Sequence, residues 1–142
     1  MEQLTLERAQ AAVSAALAKG RDLGLKPLSV VVVDAGGHPI AFAREDGSSN
    51  GRFQIAWAKA GGALSLGMSS RKIAEAAAER PTFVASLGPI FPHGVIPAAG
   101  GVIFVGKSGA PLGAIGITGD TSDNDEICAI AGLTEAGLAA QA

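Results

Sequence analysis

Ile96-Pro97-Ala98-Ala99-Gly100-Gly101-Val102-Ile103-Phe104-Val105, introduced by Phe91-Pro92-His93-Gly94, is the stretch on which the reading of this chain turns. Pro92, Gly94 and Pro97 keep its first half out of a helix, because proline lacks the ladder N–H and crowds the preceding turn. Its second half is a short apolar run of β-type residues. The segment is therefore a loop that feeds a strand, with one of only two histidines in the loop. A binding site in this chain is expected to use it as floor or rim.

Downstream, Gly106-Lys107-Ser108-Gly109 reads as a turn and Leu112-Gly113-Ala114-Ile115-Gly116-Ile117-Thr118 as the returning strand. Glycines 113 and 116 weaken a strand and mark the close approach of a ligand or another backbone. Gly100, Gly101 and Gly116 thus become candidate cofactor contacts, spread over two adjacent strands. Gly101-x-x-x-x-Gly106-Lys107-Ser108 also satisfies the P-loop pattern letter for letter. The match fails physically: the intervening Val-Ile-Phe-Val wants to be strand, and Gly109-Ala110-Pro111 begins no helix whose N-terminus would hold phosphate.

Upstream, residues 5–23 carry Leu6, Ala9, Val13, Ala16, Leu17 and Gly20 on one helical face, with Thr5 as N-cap and Gly24 as stop. Ser29-Val30-Val31-Val32-Val33-Asp34 is a continuous β-branched run typical of a strand buried on both faces. Ala35-Gly36-Gly37-His38 turns the chain into strand 39–44, where Ile40, Phe42 and Arg44 share a face. A helix over 51–66 contains Gly61-Gly62, a pair that costs about 1 kcal/mol per glycine relative to alanine and implies close backbone packing. Helix 71–79, capped by Ser69 or Ser70, stops at Pro81, and residues 82–87 add a further helical turn. Ser122-Asp123-Asn124-Asp125 has a capping-box pattern and opens a last helix over 123–139. The order α-β-β-α-α-β-β-α predicts an α+β domain with an antiparallel sheet flanked by helices, a single domain over 1–142.

Composition bounds the function. Formal net charge is −2 with no basic block, which argues against a nucleic-acid surface. No apolar run reaches membrane-spanning length, and Met1-Glu2-Gln3-Leu4 lacks the features of a secretory signal. One cysteine, Cys128, excludes an internal disulfide and fits a reducing, cytoplasmic setting. It reads as a small buried hydrophobe on the last helix.

His93 and His38 are the candidate metal or haem-iron ligands, although neither has partner ligands at metal spacing. Arg44 leaves the sheet at a strand end and either clamps a ligand carboxylate or pairs with Asp46. Lys59, within an apolar helical stretch, reads as snorkelling to solvent. The acids Asp120, Asp123, Asp125 and Glu126 suit a helix N-terminus, with Asp125 or Glu126 available to face a pocket.

Gly100-Gly101-Val102, Gly113-Ala114-Ile115-Gly116-Ile117-Thr118-Gly119, Asp125-Glu126 and Ala131-Gly132-Leu133 together resemble the GlcG/HbpS family, which includes haem-binding proteins and the C-terminal domain of PduO-type adenosyltransferases. Val33-Asp34-x-Gly36-Gly37, Arg44-x-Asp46-Gly47 and Ala56-x-x-Lys59-Ala60 extend the resemblance over nearly the whole chain. The resemblance implies a profilin-like α+β architecture, homo-oligomers, and haem or another small organic ligand. It carries no iron-ligating residue onto this chain. Ile103 and the histidine of Phe91-Pro92-His93-Gly94 depart from the family pattern.

The expected function is a cytoplasmic, oligomeric small-ligand binder, with haem as the leading cofactor. The alternative is an enzyme without cofactor acting on a small carboxylated or aromatic metabolite. There Arg44 binds the carboxylate, and His93, Asp125 or Glu126 moves a proton.

Overall fold

The structure, a computed structural model, describes residues 3–142; Met1 and Glu2, part of the amino-terminal reading above, lie outside the described residues. Helix α1 (Leu6–Asp22) starts at Thr5, whose hydroxyl accepts the Arg8 N–H at 3.2 Å. Strands β1 (Ser29–Asp34) and β2 (Pro39–Arg44) form the first hairpin, and α2 (Arg52–Leu66), α3 (Ser70–Glu79) and α4 (Pro81–Leu87) follow. Strands β3 (Gly101–Val105) and β4 (Pro111–Thr118) form the second hairpin, then come α5 (Ser122–Glu135) and a short β5 (Ala139–Ala140).

The five strands make one antiparallel sheet in the order β2-β1-β4-β3-β5. The valine run becomes β1, next to β4 at the sheet's centre, and alternation divides it between two cores. Val30 and Val32 join Val102, Phe104, Ile115 and Ile117 under α1 and α5. Val31 and Val33 join Ile103 and Ala114 under α2. The α+β expectation and its antiparallel sheet hold, in three layers.

The last helix is shorter than its sequence suggests. It ends at Glu135 instead of running to 139, because Gly137 turns the chain at φ 72° and the Leu138 N–H bonds back to the Leu133 carbonyl at 2.8 Å. Leu138 then drops into the core beside α1 and α5, and residues 139–140 pair with Phe104 and Val105 as an edge strand. The cap is Thr121, one residue before the Ser122 pattern; its hydroxyl accepts the Asn124 N–H at 3.2 Å.

The glycines of the second hairpin decide how α2 sits. Gly101 and Gly116 are direct partners in the β3–β4 ladder. A Cβ on Gly116 would run into the Ala56 carbonyl, and one on Gly101 into the Lys59 carbonyl. Helix backbone therefore lies against sheet backbone. The Gly61-Gly62 pair does the same on the helix's other side: a Cβ on Gly62 would lie 3.2 Å from Val95 Cα, and one on Gly61 would lie 2.7 Å from the His93 ring. Residues 93–95 thus cover α2 from outside while β3 and β4 support it from within, and Ala58 through Ala63 are buried without interruption.

Gly116→Ala should cost about 3 kcal/mol, near the upper end for overpacked cores, because a rigid carbonyl stands where the methyl must go. Urea unfolding measures it; a loss below about 1 kcal/mol would mean that α2 can lift off the sheet easily.

Candidate functional site

The loop after α4 brings His93 onto α2, where Gly61 leaves room for the ring. Its Nδ1 lies 2.7 Å from the Gly94 carbonyl. A carbonyl can only accept, so Nδ1 carries a proton, and in the uncharged ring the lone pair is then on Nε2. Ser65 Oγ stands 3.3 Å from Nε2 and supplies a hydroxyl to it. The half-buried imidazole is thus oriented by a backbone carbonyl and has a basic nitrogen occupied only by a serine. A ligating or proton-accepting histidine has this arrangement.

Aromatic rings extend from His93 across the same face. Phe91 stacks on it at 5.8 Å between centroids, and Trp57 meets it edge-on at 5.8 Å. Phe53 stacks on Trp57 at 5.8 Å and contacts Phe42 edge-on at 4.8 Å. The Trp57 indole N–H donates to the Gly37 carbonyl at 2.8 Å, tying the strip to the β1–β2 turn. Four of the chain's six phenylalanine and tryptophan residues therefore form one row ending at an imidazole. Phe53, Trp57, Gly61 and Ser65 sit four apart on α2, so one helical stripe presents ring, ring, gap and hydroxyl in turn. That spacing is the signal in the sequence that could have located the site.

His38 sits exposed on the β1–β2 turn. Its neighbour Gly37 would place a Cβ 4.0 Å from the His93 ring, so both histidines border the same hairpin tip. Arg44 is at the other end of β2, about 17 Å away at ~3.3 Å per residue. It lines an open cleft of about 420 Å³ with Arg21, Leu25, Pro27, Glu45 and Asp46. Of the two alternatives for Arg44, pairing with Asp46 is not found among the ion pairs of the described residues; the ion pair in this corner is Arg21 with Glu45 at 3.5 Å.

Asp125 and Lys59 form a buried pair. Lys59 Nζ lies 3.2 Å from Asp125 Oδ2 and donates to the Ile117 carbonyl at 2.9 Å, while Asp125 Oδ1 accepts the Asp120 N–H at 3.0 Å. The snorkelling expectation for Lys59 is corrected. Lys59 lies in the run Ala58–Ala63 that is buried without interruption, and its ammonium meets the Asp125 carboxylate there instead of solvent. Burial lowers the Lys59 pKa and raises that of Asp125, and in each case the partner's charge opposes the shift.

Glu126 faces Arg71, whose Nε donates to its carboxylate at 2.9 and 3.1 Å, while Arg71 Nη2 holds Asp123 at 2.6 Å. The candidate acid–base set His93, Arg44, Asp125 and Glu126 is therefore dispersed, with Asp125 sealed and Glu126 engaged elsewhere. Gly100, Gly101 and Gly116, expected to touch a cofactor, are buried beneath α2 and Lys59; they admit helix backbone instead of a ligand. Among the described residues, no group of three His, Cys, Asp or Glu side chains is placed to hold a metal ion.

An antiparallel sheet between α1/α5 and α2, bearing an oriented imidazole in an aromatic row, defines a profilin-like α+β domain. The chain belongs to the HbpS-like family: the family described as "Haem degrading protein HbpS-like" matches residues 4–134. Among solved structures, Streptomyces reticuli HbpS (a double mutant) is 32% identical over 94% of this chain and 87% of its own, with a TM-score of 0.80. Klebsiella pneumoniae protein ORFY is 25% identical over 96% and 93%, with a TM-score of 0.84. PduOC, solved as a heme complex, shares the fold at 18% identity over 99% and 100%, with a TM-score of 0.87. No curated protein matches the chain in sequence.

Asp125→Ala should destabilise the fold by about 3–5 kcal/mol, because it strands the buried Lys59 charge. Lys59→Met combined with Asp125→Leu should recover most of that loss in denaturant titrations. Equal losses in the single and double variants would mean that packing, not charge, sets the cost.

Asp120 offers a pH test. Hydrogen bonds from the Asn124 amide, then from the Thr121 and Lys26 N–H groups, hold its carboxyl down to about 2 from 3.8. A depressed pKa stabilises the folded state above the unfolded value, and that stabilisation is lost as pH falls from about 4 towards 2. The difference in melting temperature between wild type and Asp120→Asn should therefore shrink across that interval. A difference that stays constant from pH 5 to 2 would remove Asp120 from the acid limb.

Proposed function

We propose that this chain binds haem, or a comparably flat aromatic ligand, against the row Phe42, Phe53, Trp57 and Phe91, with His93 Nε2 as the iron-ligating group. The observation that carries the reading is the Nδ1–H bond to the Gly94 carbonyl, which sets the tautomer of the uncharged ring so that ligation falls to Nε2, where a ligand would displace the Ser65 hydroxyl. The residues present fit the group: the His93 imidazole would hold the iron, and the aromatic row offers apolar surface for a porphyrin. Bound there, haem would supply a redox-active iron; the chain's own part is to hold the ring plane and exclude water from one side. The family's description as haem-degrading and the heme complex of a protein with this fold support the ligand class.

The reading extends to a cytoplasmic homo-oligomer. Cys128 is fully buried, and desolvation pushes its thiol up to about 11, consistent with a packing role. Phe83 and Ile90, exposed beyond α3, are surface that a second copy would cover. The rival reading, an enzyme without cofactor, keeps His93 as its proton acceptor but loses Arg44, which the length of β2 separates from it.

Addition of hemin should give a shifted Soret band that His93→Ala weakens at least tenfold and His38→Ala leaves in place. A band unchanged in His93→Ala would overturn the ligand assignment. No band in the wild type would overturn haem itself and favour the enzyme reading.

A further inference from the structure

Two buried side-chain hydroxyls have no hydrogen-bond partner among the described residues, Ser29 Oγ and Ser48 Oγ. Both belong to the end of the fold away from His93, around the first turn of α2. Ser29 opens β1, is fully buried, and pairs across the ladder with Arg44 on one side and Thr118 on the other. Two residues before Val31, it shares the sheet face that α2 covers. Ser48 lies in the loop between β2 and α2. A buried hydroxyl without a partner carries its full desolvation penalty; Ser29 does not line the neighbouring cavity and Ser48 does, so Ser48 is the hydroxyl that a bound group would satisfy.

Donors and positive charge gather at the same corner. Arg52, the first residue of α2, is braced by Nε–H to Ser49 Oγ at 3.0 Å and Nη1–H to Thr118 Oγ1 at 2.9 Å. Its Nη2 makes no hydrogen bond among the described residues. The N-cap is Gly51, which has no side chain to bond the first turn, and that turn contains no acid. The Phe53 and Gln54 N–H groups consequently have no acceptor among the described residues. Arg52, Lys26, Ser48, Ser49 and Gly119 line a cavity of about 210 Å³, against about 30 Å³ for one water in the liquid. The neighbouring acid Asp120 has its carboxylate occupied by the Lys26 and Thr121 N–H groups and the Asn124 amide, and it does not line the cavity.

We propose that this corner is a second binding site, for a small oxyanion such as the carboxylate or phosphoryl end of a metabolite. Arg52 Nη2, the Lys26 ammonium, the Ser48 hydroxyl and the open N–H groups of α2 are its donors, and the helix's positive end adds to their field. Arg52 is already held in position by Ser49 and Thr118, so binding orders little that is not ordered before. The site lies about 13 Å along α2 from the His93 position, at ~1.5 Å per residue, and does not depend on the haem reading.

The test is calorimetric titration of the full chain with sodium phosphate and, separately, sodium acetate in low-chloride buffer. Arg52→Gln and Ser48→Ala are titrated alongside, each checked for folding by its circular-dichroism melt. One-site binding of at least one anion is expected, weakened at least tenfold in Arg52→Gln and several-fold in Ser48→Ala. Tighter phosphate assigns a phosphoryl group, and tighter acetate a carboxylate. Ser48→Ala removes no hydrogen bond that the Ser48 side chain makes within the chain, so it keeps the test open should Arg52→Gln fail to fold. Absence of saturable binding by either anion, or wild-type affinity in the folded variants, overturns the proposal. So does a crystal structure from phosphate that shows only an ordered water on Ser48.

Discussion

The contact on which the rest depends is backbone to backbone, between α2 and the β3–β4 hairpin. A helix on a sheet ordinarily stands off by the length of two side chains. Here Gly101 and Gly116 face each other across the ladder and remove that spacing, so the Ala56 and Lys59 carbonyls lie where side chains would otherwise be. Small residues on the helix, Ala56, Ala60 and Ala63, complete the seat. A helix drawn this far inward can be covered on its outer side as well, and the loop through His93 and Val95 does so. The imidazole owes its place to this inward position: Gly61 faces outward under the ring because Ala60 and Ala56 face the sheet.

Burying α2 has an electrostatic consequence. Lys59 is buried on the inner side of α2, and a lone ammonium would be intolerable there. Asp125, in the first turns of α5, provides the counter-charge, and the Ile117 carbonyl and Asp120 N–H satisfy the remaining polar atoms. The pair joins α2 to α5 at the carboxyl end of β4, linking the two helical layers that the sheet otherwise keeps apart. Its worth to stability relative to an apolar pair is modest. Its geometric effect is to fix how α5 is turned, which places Glu126 and Asp123 towards Arg71 on α3.

Much of this was legible in the residues and some was not, for definite reasons. The valine run, the two hairpins and the α1 cap follow from local rules, because each depends on neighbours within a few positions. The glycines in β3 and β4 announced a close approach, but a ligand and a helix backbone make the same demand, and only tertiary packing chooses. Lys59 was misread for the same reason: the apolar stretch around it was visible, while the carboxylate 66 positions away was not. The end of α5 turned on Gly137, a residue that either interrupts a helix or stops it depending on whether Leu138 finds a core. His93 stood out as an isolated histidine. Its aromatic company was encoded as Phe53, Trp57, Gly61 and Ser65 at intervals of four, a pattern that gains meaning once something is known to lie across that stripe.

The two ends of α2 now carry different chemistry, and helix polarity explains why they need not compete. At its first turn α2 has no side-chain cap, Arg52 is clamped beside it, and the orphaned Ser48 hydroxyl lines the same cavity, a set that favours a negative group. Three turns on, near the helix's negative end, Gly61 and Ser65 meet the His93 imidazole and flat rings, a setting that does not favour an anion. One helix thus separates an anion-favouring corner from an apolar strip by its own length. Because Gly101 and Gly116 hold that helix rigidly against the sheet, a group bound at one end can reach the other only by spanning it, or by lifting α2 from a seat that leaves almost no room to move.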